Sequence, residues 1–148
     1  METKTMSKDF HRVVMVKGSP EKAMAAINDV SGWWAKNVKG SSSALHDKFR
    51  VIFGKTWVDF EISEMIPAKK VVWTVLDCNL EWIEDKKEWK GNKVVFELAA
   101  SGDSTRIDFT HIGLVPGAEC YESCEVGWTK HLKKGLEQLV NTGKGEPE

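Results

Sequence analysis

Three side chains in this 148-residue chain have types and spacing suited to chemistry: His111, Cys120 and Cys124. The two cysteines stand four residues apart, so on a helix they lie one turn above the other on a single face. His111 closes the strand pattern that precedes them. Two thiolates and an imidazole suit zinc. A thiol pair beside a histidine also suits redox or thiol chemistry. All three are equally at home in a core, the cysteines as small hydrophobes and the histidine as a hydrogen-bonded residue. The core reading is preferred, because a closed zinc site needs a fourth ligand and no CxxC pair or second His spacing supplies it. His111 is also the side chain best suited to proton transfer near neutral pH, which keeps a cyclase- or hydrolase-type enzyme as an alternative. The chain contains no Ser/His/Asp spacing, no Gly-rich phosphate loop and no HExxH motif.

The elements that must position these residues are legible from periodicity. Phe10 to Lys17 alternates as a first strand. Ser19 and Pro20 then read as the N-cap and first position of a short helix whose buried side is Ala23, Met24, Ala26 and Ile27. Gly32 breaks that pattern, and Trp33-Trp34 falls on a second short helical turn, as an anchor in preference to a lid. Residues 39–44 read as a loop. Period-two patterns follow: Phe49, Val51 and Phe53; Val58, Phe60 and Ile62; a more continuous apolar run from Val71 to Leu76; Val94, Phe96 and Leu98; Ile107, Phe109 and His111. Asp59 and Glu61 fall on the water side of their strand. The charged stretch from Asn79 to Asn92 reads as a short strand or irregular, solvated hairpin.

After Pro116-Gly117 the period changes from two to about 3.6. Tyr121, Cys124, Trp128, Leu132, Leu136 and Leu139 form one stripe, with Lys130, Lys133, Lys134 and Glu137 opposite. Gly127 and Gly135 each cost such a helix about 1 kcal/mol relative to Ala. Strong tertiary support, or close approach of another backbone, is required to keep them. Asn141 and Gly143 end the helix. The fold expected is α+β: a curved antiparallel sheet of about six strands gripping one long C-terminal helix, with two short helices after the first strand.

Bulk properties restrict the partners. Lys plus Arg is 21 against 22 Asp plus Glu, which gives no basic footprint for nucleic acid. No apolar run is long enough for a signal peptide or a membrane span, so the expected location is cytoplasmic. The three cysteines are therefore expected as thiols. One domain is expected over residues 1–148, with 1–7 and 144–148 as flexible ends. Seven Trp against one Tyr suits a bulky core or a lined cavity. The expected cavity wall combines Trp34 with Phe49, Val51 and Phe53, then Val58 and Phe60, then Trp73 and Phe96. Phe109 and His111, and Cys120, Cys124 and Trp128 of the helix, complete it. No catalytic residue, metal or cofactor is assigned.

Several segments resemble a known family: Glu88-Trp89-Lys90-Gly91, the run Phe109 to Pro116 (FTHIGLVP), Cys120 and Cys124, Trp128, and Thr142-Gly143-Lys144-Gly145. Their succession is similar to the START-like (SRPBCC) helix-grip superfamily. The nearer branch resembles the homologues of activators of the heat-shock-protein ATPase, in a bacterial subgroup of stand-alone domains. The resemblance covers about residues 10 to 147. It implies the helix-grip fold and binding of a small apolar or amphipathic molecule between sheet and helix. It also implies, as an alternative, a stress-related, chaperone-assisting interaction. The activators themselves carry a separate N-terminal chaperone-contacting domain, to which no stretch of this sequence corresponds.

Overall fold

The computed structural model describes residues 8–148. Of the two ends expected to be flexible, 1–7 lies outside the described residues. Seven antiparallel strands form one sheet in the order β1-β7-β6-β5-β4-β3-β2. They are β1 (Phe10–Lys17), β2 (Asn37–Gly40), β3 (Lys48–Phe53), β4 (Thr56–Ile66), β5 (Lys70–Asn79), β6 (Lys93–Ser101) and β7 (Ser104–Ile112). Between β1 and β2 stand α1 (Pro20–Asn28) and α2 (Val30–Trp33). The C-terminal helix begins as α3 (Tyr121–Lys130), continues as a π-helical stretch (His131–Glu137) and ends as α4 (Gln138–Thr142).

The strands bury the faces their alternation predicts. Phe49 and Val51, Val58 and Phe60, and Ile107 and Phe109 are all buried. Asp59 and Glu61 lie on the opposite face, where Asp59 takes two hydrogen bonds from Arg50 and Glu61 lies beside His46. Register shifts between Asp59 and Phe60 and between Ile62 and Glu64 interrupt the β4–β5 ladder, and such bulges bend a sheet. The expected loop over 39–44 begins instead as strand β2, which pairs Gly40 with Phe49. β2 is a short, mostly exposed edge strand without alternation, so only its backbone pairing identifies it.

Ser19 caps α1 by accepting a hydrogen bond from the Lys22 N–H at 3.2 Å. Trp33 is fully buried, and its indole N–H donates to the Ile27 carbonyl. Trp33 and Trp34 therefore anchor α2 within the core. The long helix keeps its predicted stripe through Cys124, Trp128, Leu132 and Leu136. Val140 is then buried where Leu139 was expected, and Leu139 is only partly buried. A π-helical turn holds an extra residue, which rotates the buried face by about one position.

Gly135 sits in that π-helical stretch because another backbone passes over it. A Cβ there would overlap the Trp33 carbonyl oxygen. Gly145 fills the remaining space against the carbonyls of Gly32 and Gly135. Residues 144–148, expected as a free end, run back along α2. The Glu148 N–H donates to the Trp34 carbonyl at 3.0 Å, and the Lys36 N–H donates to the Glu148 carbonyl at 2.8 Å.

Candidate functional site

The start of the long helix is held by two reciprocal carboxylate latches. Glu119 accepts hydrogen bonds from the N–H groups of Glu84 and Asp85, at 2.6 and 3.0 Å. Glu88 accepts from the N–H groups of Glu119 and Cys120, at 2.6 and 3.1 Å. The N–H groups of Asp85 and Glu84 hold the Glu119 carboxyl below its ordinary pKa. The segment after β5 is thus a series of turns tied to the helix, not the solvated hairpin the charges suggested. The latches bring Trp82 and Trp89 to the helix from far away in the chain. Trp82 is half exposed and donates its indole N–H to Ser123 Oγ. Trp89 is buried, and its N–H points at Cys120 Sγ at 3.2 Å.

Between this segment, α2, strands β3 and β4 and the first turns of the long helix lies a partly open hollow of about 220 Å³. Five large aromatic side chains line it: Trp34, Phe53, Trp82, Trp89 and Trp128. Cys124, Gly127, Trp128 and His131 line it from the helix. These four stand at i, i+3, i+4 and i+7, which is one helical face. Gly127 leaves the wall open: a Cβ there would meet nothing within 4 Å. Thr56, Ser123, His131 and Glu148 are the polar residues on the wall. A larger hollow of about 460 Å³ lies between the start of α1, the β4–β5 turn and the end of β6, but it gathers no aromatic ring.

Of the cavity residues expected from sequence, Trp34, Phe53, Val58, Cys124 and Trp128 line the hollow. Phe49, Val51, Phe60 and Trp73 are buried behind it in the core, as are Phe96, Phe109, His111 and Cys120. His131 was not expected on the wall, because a polar residue does not belong to an apolar stripe. Its i+7 spacing from Cys124 was the available signal. Trp82, Trp89 and Glu148 left no local signal, since turns and the C-terminal tail deliver them.

The two histidines differ in what they can do. His111 is fully buried. Its Nδ1 accepts the Trp128 indole N–H at 3.1 Å, so the ring proton sits on Nε2 and is donated to Asn92 Oδ1 at 2.9 Å. Burial pushes its pKa down to about 3. Both nitrogens are engaged, and the ring orients Trp128. His131 lies on the hollow's wall, its ring stacked near Phe53 and edge-on to Trp34. Among the described residues its ring nitrogens take no hydrogen bond. Burial lowers its pKa, opposed by the nearby Glu148 carboxylate. Glu148 is ion-paired with Lys130, which holds its carboxyl below the ordinary value.

Cys120 and Cys124 are joined in a disulfide, which corrects the expectation of three free thiols. Their i, i+4 placement at the helix start brings the two sulfurs together regardless of the compartment argument. Only Cys78 is a free thiol, and it is buried. No cluster of three or more His, Cys, Asp or Glu able to hold a metal occurs among the described residues. No helix among them is long and apolar enough to cross a membrane.

The buried His111 makes stability depend on pH. Its folded-state pKa, about 3, lies below the ordinary 6.5. The unfolded chain therefore binds the proton first, and stability present above pH 6.5 is lost as the pH falls toward 3. His131 shifts in the same direction. From pH 7 to pH 5, urea unfolding should show a loss of about 2 kcal/mol from His111. A His111→Gln variant should lose most of that slope, and an unchanged slope would contradict the assignment.

The model of one protein family matches residues 28–141, described as Activator of Hsp90 ATPase homolog 1-like protein. The chain belongs to this family. Solved structures show the same fold. The Aha1 dimer from Colwellia psychrerythraea superposes with a TM-score of 0.75 at 23% identity, over 93% of this chain and 98% of that one. MLL2253 from Mesorhizobium loti gives 0.69 at 22% identity, over 88% and 96%. CalU16 from Micromonospora echinospora gives 0.68 at 16% identity, over 93% and 76%. No curated protein matches the chain. The family's START-like, helix-grip architecture suggests a ligand-binding domain.

Proposed function

We propose that this domain binds, without turning it over, a small amphipathic molecule whose apolar part is a single ring or a group of similar size. The hollow carries the proposal: an aromatic-walled space, kept open by a helix glycine, with one unsatisfied histidine on its wall. Its 220 Å³ is below the roughly 300–1,000 Å³ typical of drug-sized ligands. It is above the ~150 Å³ that admits benzene in an engineered apolar cavity. The aromatic rings supply non-directional affinity for the ring. Neutral His131 supplies the polar contact, by accepting from a ligand hydroxyl or N–H, or by donating to a ligand oxygen.

Titration with phenols, indoles and one-ring carboxylic acids, read by tryptophan fluorescence, tests this. Saturable quenching by at least one class is expected. His131→Leu should weaken the polar members about tenfold, the worth of one hydrogen bond, and leave purely apolar rings nearly unaffected. Equal weakening of both groups would count against a polar anchor. His131 also supports a second reading, a cyclase- or hydrolase-type enzyme with this histidine as proton acceptor. It has the free nitrogen that His111 lacks. Turnover of a bound ligand that disappears in His131→Leu would favour it.

A further inference from the structure

We propose that the Cys120–Cys124 pair is a thiol-exchange site for low-molecular-weight thiols, entered through the hollow, with Cys124 as the sulfur attacked and Cys120 as the sulfur released. The proposal does not depend on which ligand the hollow binds, or on whether it binds one.

The two sulfurs have different surroundings. Cys124 lines the hollow. Cys120 does not, and it is fully buried. The Trp89 indole N–H points at Cys120 Sγ at 3.2 Å. A hydrogen bond donated to sulfur favours its thiolate form, and a stabilised thiolate leaves faster in exchange. Cys120 also stands at the N-cap of α3, where the helix field favours negative charge. The Glu88 carboxylate, bonded to the Cys120 N–H, opposes that field, so the indole donor carries the asymmetry. Cys78, the third cysteine, is buried with its thiol directed at the Lys86 carbonyl, and provides an internal control.

The chemistry balances with a thiol as reductant. A small thiol loses its proton to solvent, and its thiolate attacks Cys124 Sγ. A new sulfur–sulfur bond forms there as the Cys124–Cys120 bond breaks, and the electron pair leaves on Cys120 Sγ under the Trp89 N–H. A second thiolate then attacks the outer sulfur of the mixed disulfide and releases the Cys124 thiolate. Two small thiols become one small disulfide, and the protein disulfide becomes two thiols.

The test uses the folded full chain and 2-mercaptoethanol, small enough for the hollow, with alkylation and mass spectrometry to count thiols. After reduction in native buffer and an acid quench, alkylation in denaturant should count three thiols per chain, against one without the reductant, while alkylation in native buffer leaves the buried Cys78 unlabelled. Gly127→Leu places a side chain in the hollow and should slow the reaction about tenfold or more. In Cys120→Ser, 2-hydroxyethyl disulfide should form a mixed disulfide on Cys124, whereas Cys120 of Cys124→Ser should react at least about tenfold more slowly. Reduction only after denaturation would show a structural staple and overturn the proposal. So would an unchanged rate in Gly127→Leu, which needs no cysteine variant to fold, or a protein whose two thiols cannot be joined by a mild oxidant.

Discussion

Gly135→Ala is expected to remove about 3 kcal/mol or more of stability, the upper end of overpacking costs. The added methyl would collide with the Trp33 carbonyl oxygen, a backbone atom with no rotamer to escape into. Trp33 itself is locked, fully buried and bonded to Ile27. The same change eight residues earlier should act in the opposite sense. Gly127→Ala meets nothing within 4 Å and should stabilise the helix by up to about 1 kcal/mol. Urea unfolding of the two variants checks both. Similar effects at the two positions would mean that the long helix is not seated against α2 as described.

The second large effect concerns ligand affinity. Gly127→Leu should reduce affinity for any molecule held in the hollow by at least ~100-fold, about 2.7 kcal/mol. Leu is a better helix former than Gly, so the domain should not lose stability with it. That combination separates a glycine kept for space from one kept for packing. It also gives a reason for Gly127 that helix propensity alone does not. Titration of the variant against the tightest ligand of the wild-type protein reads the effect, and retained affinity would place binding elsewhere.

What could be read in the sequence depended on how each element is stabilised. Strands with one buried face announced themselves: β1 was legible over Phe10–Lys17 and β7 through Ile107, Phe109 and His111, because burial imposes a period of two. β2 was not, because four mostly exposed edge residues are held by backbone pairing, which any side chains allow. The long helix was legible as far as Leu136. Beyond it the π-helical stretch displaced the stripe from Leu139 to Val140, a change of geometry that a fixed 3.6 period cannot contain. Gly135 behaved as its cost implied, since another backbone does lie against it.

The site divides along the same line. Cys124 and Trp128 were legible because they belong to the apolar stripe. His131 shares that face but is polar, so an apolar stripe does not include it. His111 drew attention by its type, yet its two nitrogens are engaged by Trp128 and Asn92. Trp82 and Trp89 reach the hollow through the Glu119 and Glu88 latches, and Glu148 through the returning tail. Those are contacts between distant segments, and no local pattern encodes them.

A small amphipathic molecule is expected to occupy the hollow beside Gly127. Intermolecular NOEs, from the tightest ligand of the fluorescence panel to isotope-labelled protein, test it most directly. Contacts from the ligand ring to Phe53, Val58 and Trp128 are expected, and should be lost in Gly127→Leu. Saturable binding with NOEs only to other surfaces, or no binding across the whole panel, would contradict it.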